Sequence, residues 1–182
     1  MTDDPYPVWS HFPKNERPPA WVDGLLKVVA ARESLICTRD KATGLTSDEV
    51  LKAISPGLEE IGFTTELSKK AADKIIRPSL YGENGTVAAF YELDAFHEEL
   101  GIAVEVEAGQ SMSNNNDYRD VVRTALLLDV KYLALVVPIA YRTGQSAVRT
   151  AKSYERARNM VGAIYASSRL KLPFDGVLVV GY

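Results

Sequence analysis

Residues 90–110 read FYELDAFHEELGIAVEVEAGQ, and no other stretch constrains the fold as tightly. Apolar and acidic residues alternate on both sides of a turn read at Glu98–Gly101, the pattern of two antiparallel strands with one polar and one apolar face. With Glu99 and Leu100 as a two-residue loop, Asp94 lies opposite Glu105 and Glu92 opposite Glu107, and all four acids share one face. Tyr91, Leu93, Ile102, Val104 and Val106 share the other, which parity makes the core face. A slip of one residue would bury the acids, so the register is well specified. Carboxylates on opposed residues, with Cβ atoms about 5 Å apart, repel by about 3 kcal/mol at an effective dielectric of about 20. Protonation, a neighbouring Lys or Arg, or a bound divalent cation can offset that repulsion. The alternative is a solvated acidic strand face.

The remaining chain supplies elements to cover such a hairpin. Residues 1–20 carry Pro5, Pro7, Pro13, Pro18 and Pro19 among aromatics, which predicts an extended arm ahead of a single domain over 21–182. Val22, Leu25, Leu26 and Val29 suit one face of a helix over Trp21–Ile36. Thr46 with Glu49 fits a capping box for a helix over about 47–61, with a break or kink at Ser55-Pro56-Gly57. Asn84-Gly85 signals a hairpin, and strands near 74–80, 87–96 and 102–107 then form a meander. A helix from Asn116 or Asp117 to about Asp129 places Tyr118, Val122, Ala125 and Leu126 at helical spacing. Tyr132–Pro138 and Gly176–Val180 read as strands buried on both faces, with a helix over 147–166 between them.

Composition excludes several classes. The 182 residues carry 21 Lys plus Arg against 24 Asp plus Glu, a net charge of -3, so any nucleic-acid surface is local rather than a basic coat. One cysteine, Cys37, and two histidines exclude an intramolecular disulfide and a Cys/His zinc cage. The apolar runs are short of a membrane span and the N-terminus lacks a signal pattern, which predicts a cytoplasmic protein without a membrane partner. His97 at the hairpin turn reads as a surface residue.

Asp94, ten residues, then Glu105-Val106-Glu107 resembles the PD-(D/E)XK nuclease superfamily, which places an Asp at the end of one strand and acid-x-Lys on the next. The expected order of helix, three-strand meander, helix and strand over residues 47–138 matches that superfamily's core. Position 107 departs from the pattern, being Glu where Lys is usual; this Glu-x-Glu variant resembles restriction enzymes of the BamHI and BglII type. The resemblance implies an α/β restriction-endonuclease-like core, a central mixed sheet with an antiparallel meander plus further strands, flanked by helices.

The same resemblance implies a magnesium-dependent endonuclease acting on nucleic acid, double-stranded DNA above all, with manganese as a substitute. Asp94, Glu105 and the Val106 carbonyl would hold the metal, and Glu107 would orient or deprotonate the attacking water. Glu59, Glu60 and Glu92 are additional acids, the first two because the superfamily often places one on the preceding helix. Lys69, Lys70, Arg119 and Arg123 are candidates for the missing positive charge. Arg119 and Arg123, four apart, form either a phosphate clamp or a solvent face. Gln110 and Asn114–Asn116 either touch nucleic acid or serve as turn and cap residues. A homodimer is the family expectation. The rival readings are a non-catalytic DNA-binding or assembly module on the same fold and a hydrolase of another phosphoester.

Overall fold

Strands that are apolar on both sides need cover on both, and the two such segments of this chain form the centre of the molecule. The computed structural model describes residues 5–39, 45–66, 68, 70, 73–108, 116–143, 149–167 and 169–182. In chain order the elements are β1 (Val8–Phe12), α1 (Trp21–Ala30), α2 (Glu33–Ile36), α3 (Ser47–Glu60), β2 (Thr64–Thr65), β3 (Ile75–Tyr81), β4 (Val87–Leu93), β5 (Ala95–His97), β6 (Ile102–Val106), α4 (Asn116–Ala125), β7 (Tyr132–Val137), β8 (Tyr141–Thr143), β9 (Arg149–Ala151), α5 (Ser153–Ser167) and β10 (Gly176–Gly181). A six-stranded mixed sheet runs β1-β10-β7-β6-β5-β2, with β6, β7 and β10 parallel and the other pairings antiparallel. Strands β3 and β4 form a separate hairpin, as do β8 and β9.

Strand parity sorts the core into two layers. Ile102, Val104, Val106, Ala134, Val136, Leu178 and Val180 face α1 and α3, meeting Val22, Leu25, Val29, Val50, Ile54 and Leu58. Ala103, Leu133, Leu135, Val177 and Val179 face the opposite way, onto Val121 of α4 and Tyr154, Ala157, Met160 and Val161 of α5. The expected capping box forms: Thr46 Oγ1 accepts from the Glu49 N–H, and the Thr46 N–H donates to Glu49 Oε2 at 2.8 Å. Of the break or kink expected at Ser55-Pro56-Gly57, the break does not occur: helix α3 continues through Pro56. Its Gly57 meets α1, where a Cβ would stand 2.9 Å from Val28 Cγ1. Gly57→Ala is therefore expected to lower stability by about 1–3 kcal/mol despite the better helix propensity of Ala, because Val28 is branched and stiff. Urea unfolding checks this; unchanged or higher stability would mean that the helices give way at no cost.

Several expectations are corrected. The strand expected over 87–96 breaks at Asp94, so the three-strand meander is not one sheet: β4 leaves with β3, and only β5 pairs with β6. The break also reverses parity. Leu93 packs in the α4/α5 layer, whereas Ala95, Val104 and Val106 pack in the α1/α3 layer, so Tyr91 and Leu93 do not share a core face with Ile102, Val104 and Val106. The hairpin register is the one expected, with Ala95 opposite Val104, and the turn falls at Glu98–Gly101 as read; the ladder closes at His97–Ile102, so the loop has four residues instead of two. Gly101 adopts φ +63°, and a Cβ there would lie 2.8 Å from the Asp129 carbonyl oxygen, so this position takes the glycine. Helix α4 ends at Ala125 instead of Asp129, the helix over 21–36 divides after Ala30, and α5 begins at Ser153 because β9 occupies 149–151. Residues 8–12, within the segment read as an arm, form the sheet's edge strand against β10. Phe12 there is buried and stacks on Tyr165.

Candidate active site

The break at Asp94 sets up the site. Where β4 peels away, the Val106 N–H at the end of β6 is left without a ladder partner, and Asp94 Oδ2 accepts it at 2.7 Å. On the other side of β6 the Glu107 N–H donates to the Val136 carbonyl at 2.9 Å, while the Tyr182 hydroxyl donates to the Glu107 carbonyl at 3.0 Å. The backbone of Val106 and Glu107 is thus held from both flanks, and Asp94 stands beside it.

Glu105 takes the odd-numbered parity of β6 and points into the α4/α5 layer. It is only 8% exposed, so the acidic face is not the open solvated face expected from the hairpin alone: β6 is buried throughout. What covers it is the inner side of α4, and that side is polar. Asp117, Asp120 and Thr124 are buried, whereas of the residues read at helical spacing Tyr118, Val122 and Leu126 are exposed and Ala125 is half-buried against the core. Asp117 accepts an ion pair from Arg156 of α5 at 3.5 Å, which ties the start of α4 down.

Asp120, 2% exposed, is a further candidate that the sequence reading did not single out. Its Oδ1 lies 3.5 Å from Arg119 Nε and 3.7 Å from an Arg123 guanidinium nitrogen, and its Oδ2 is buried without a donor. Asp120 stands near Glu107 and raises that carboxyl's affinity for a proton. The spacing Asp117, Asp120, Thr124 does form a helical face and was the one available signal.

The electrostatics follow from this packing. Burial pushes Asp94 up to about 6, the Val106 N–H opposing the shift and Glu66, Asp120 and Asp48 adding to it. Burial raises Glu105 well above the carboxylate range, with Asp94 and Asp120 reinforcing it and Arg123 offsetting it only in part. Glu107 is raised by burial and by its contact with Asp120, with Arg119 working the other way. Glu105 of β6, Asp94 at the strand break, Glu107 just past the end of β6 and Asp120 of α4 are therefore poorly solvated acids flanked by two arginines, a setting that favours bound protons or a bound cation. Every donor is a carboxylate or peptide oxygen, the set that suits a hard divalent ion. Among the described residues, no three Asp, Glu, His or Cys side chains stand together as a ready metal cage.

The other sequence candidates are distributed differently. Glu92 does not oppose Glu107: it pairs in register with Ile76, and its carboxylate joins Glu66 on Lys74 at 3.0 and 2.9 Å. Glu66 is linked to the site, its N–H donating to the Asp94 carbonyl at 2.8 Å. Beside it opens a cleft of about 520 Å³ lined by Asp48, Lys52, Ser55, Glu59 and Glu66 among others. Glu59 accepts from Thr65 Oγ1 at 2.7 Å. Glu60 instead lines a separate groove between α1 and α3 with Gly24 and Lys27, away from the acids, because consecutive helix positions diverge. Lys70 is exposed and its N–H donates to Ser68 Oγ. Lys69, Gln110, Asn114 and Asn115 lie outside the described residues. Arg123 stacks over Tyr91 at 5.5 Å and donates to the Glu92 carbonyl, so it is neither a solvent-face residue nor a free clamp.

The fold and site define an α/β protein of the restriction-endonuclease-like kind, a central mixed sheet flanked by helices with acids gathered at the end of one strand. A family model described as “Putative halobacteria restriction endonuclease” matches residues 15–182, and the chain belongs to that family. No curated protein matches the chain. Among the described residues no helix is long and apolar enough to cross a membrane.

Proposed function

We propose that the protein is a magnesium-dependent endonuclease of the PD-(D/E)XK type, in the Glu-x-Glu variant seen in BamHI- and BglII-type enzymes, that hydrolyses phosphodiester bonds in double-stranded DNA. The observation that carries this reading is the convergence of Asp94, Glu105, Glu107 and Asp120 from three separate elements beside Arg119 and Arg123. Asp94, Glu105 and the Val106 carbonyl would hold the metal, which when bound supplies charge neutralisation at the scissile phosphate and an acidified water. Glu107, half-buried and at the strand end, accepts the proton of the attacking water; its raised affinity for a proton suits a general base once it is ionised. The oxygen–phosphorus bond to water forms as the bond to the leaving oxygen breaks, and that oxygen takes up a proton. Arg119, at 55% side-chain exposure, is the cation able to turn toward the phosphate in place of the Lys absent at 107, whereas Arg123 is held by Tyr91 and the Glu92 carbonyl.

The test is nicking and linearisation of supercoiled plasmid with magnesium or manganese, in wild type and Glu107→Gln. Wild type is expected to cleave, and the variant to lose at least a hundredfold in rate while still binding DNA. A rate within threefold of wild type, about 0.7 kcal/mol in barrier, would make Glu107 a bystander. A second reading, a non-catalytic DNA-binding or assembly module, is favoured by one observation: both arginines already face Asp120, and the described acids are not arranged as a metal cage. DNA binding by wild type with no cleavage under either metal would establish it.

A further inference from the structure

The register between β6 and β7 ends at Val106–Val136, one residue short of Glu107, and the stop has a covalent cause. In a parallel pair each residue donates its N–H to one carbonyl of the neighbouring strand and accepts, on its own carbonyl, from the N–H two residues further along that strand. The Glu107 N–H donates to the Val136 carbonyl at 2.9 Å, so the next donor in the ladder falls at position 138. That residue is Pro138, which has no N–H. The Glu107 carbonyl receives the Tyr182 hydroxyl instead, at 3.0 Å. Tyr182 follows the end of β10, and its phenol reaches across the end of β7, the strand that separates β10 from β6.

The phenol is itself held at every polar atom of its residue. Tyr182 is 1% exposed and packs in the α1/α3 layer. Its N–H donates to the Val137 carbonyl at 2.9 Å, and its main-chain oxygen accepts from the Ile139 N–H at 2.9 Å and from the Thr38 hydroxyl. Thr38 Oγ1 also accepts from the Ile139 N–H at 2.9 Å, which fixes the exit of β7 against Tyr182.

We infer that Tyr182 is a positioning residue for Glu107: its hydroxyl supplies the donor that Pro138 cannot, and the main chain so fixed sets where the Glu107 carboxyl stands. The inference rests on the nuclease reading, in which Glu107 takes the proton of the attacking water. A base contributes only while it stays within hydrogen-bond reach of that water, and a displacement of about 1 Å can cost about a hundredfold in rate. Without the hydroxyl, the Glu107 carbonyl has no ladder donor to replace it, and the peptide that carries the carboxyl is free to rotate. Tyr182 is shut away from substrate, so it acts on the chemical step and leaves DNA binding alone.

Tyr182→Phe keeps the buried ring and removes the hydroxyl alone. Steady-state cleavage of duplex DNA with manganese is expected to show kcat lowered at least tenfold and KM within twofold of wild type. Gly57→Ala, remote from the acids and destabilised for a different reason, is the comparison protein, and its kcat is expected to stay at the wild-type value below its melting temperature. In a Glu107→Gln background, Tyr182→Phe should cost less than threefold more, because residues that act through one group are not additive. Wild-type kcat in Tyr182→Phe, or a full tenfold loss on top of Glu107→Gln, would overturn the inference and leave the nuclease reading standing. So would a loss of kcat that tracks melting temperature across Tyr182→Phe and Gly57→Ala, which would make the hydroxyl merely structural. No cleavage by wild type with either metal would overturn the nuclease reading, and this role with it.

Discussion

Glu105→Gln is expected to reduce magnesium-dependent cleavage of duplex DNA by at least a thousandfold and, in metal-free buffer, to raise the melting temperature rather than lower it. The first effect follows from removing a charged oxygen donor at the centre of the acid cluster, and corresponds to roughly 4 kcal/mol in barrier. The second follows from burial: Glu105 is shut under α4 with Asp94 and Asp120 for company, so its ionised form is the costly one and a neutral isostere escapes that cost. Asp94 calls for a different substitution. Its Oδ2 holds the Val106 N–H, and Asp94→Ala would orphan a buried donor at about 1–3 kcal/mol, mixing folding with chemistry. Asp94→Asn keeps an acceptor and removes the charge, so it should fold and be inactive. Plasmid cleavage and thermal melting on the same preparations check both. Retained activity in both variants would remove these residues from the catalytic assignment. Lost activity with a lowered melting point for Glu105→Gln would show that the charged carboxylate is structural.

Stability should fall as pH rises through neutrality without metal, and divalent cations should reverse the fall. Asp94 moves from the ordinary 3.8 to about 6 on folding, and Glu105 and Glu107 move in the same direction. The folded state therefore binds these protons more tightly than the unfolded chain. Their contribution is fully present below the ordinary carboxylate range and is lost as pH rises through and beyond 6. A cation held by the ionised acids replaces the protons, so manganese should stabilise more at pH 8 than at pH 5. At a hundredfold excess over its dissociation constant it adds about 2.7 kcal/mol, or roughly 5–10 °C in melting temperature for a chain of this size. Manganese is the fairer probe, because magnesium binds such sites weakly until substrate phosphate completes its shell. Glu105→Gln should show a flatter pH profile and little response to metal. Parallel profiles with equal metal responses would mean that the cluster neither shares protons nor holds a cation in the free protein.

The amino-acid sequence by itself determined the elements whose signals are local. The Thr46–Glu49 box, the Asn84-Gly85 turn with Asn84 at φ 56°, the buried strands at 132–137 and 176–181 and the register that sets Ala95 against Val104 all follow from hydrogen bonds and side-chain periods spanning a few residues. The placement of Asp94 beside the Glu105–Glu107 strand was legible for the same reason, since a hairpin joins them. What only tertiary structure decided is which surface each element turns inward. The break at Asp94 shifts Leu93 to the other side of the sheet and takes Glu92 away to Lys74, because the Val106 N–H donates to the Asp94 side chain where the ladder ends. Helix α4 turns Asp117, Asp120 and Thr124 inward and Val122 outward, against its apolar periodicity. Periodicity identifies a face, but the partner decides whether that face is buried: α4 lies near a strand that carries Glu105, where arginines can compensate buried polar groups, and its apolar stripe is left exposed.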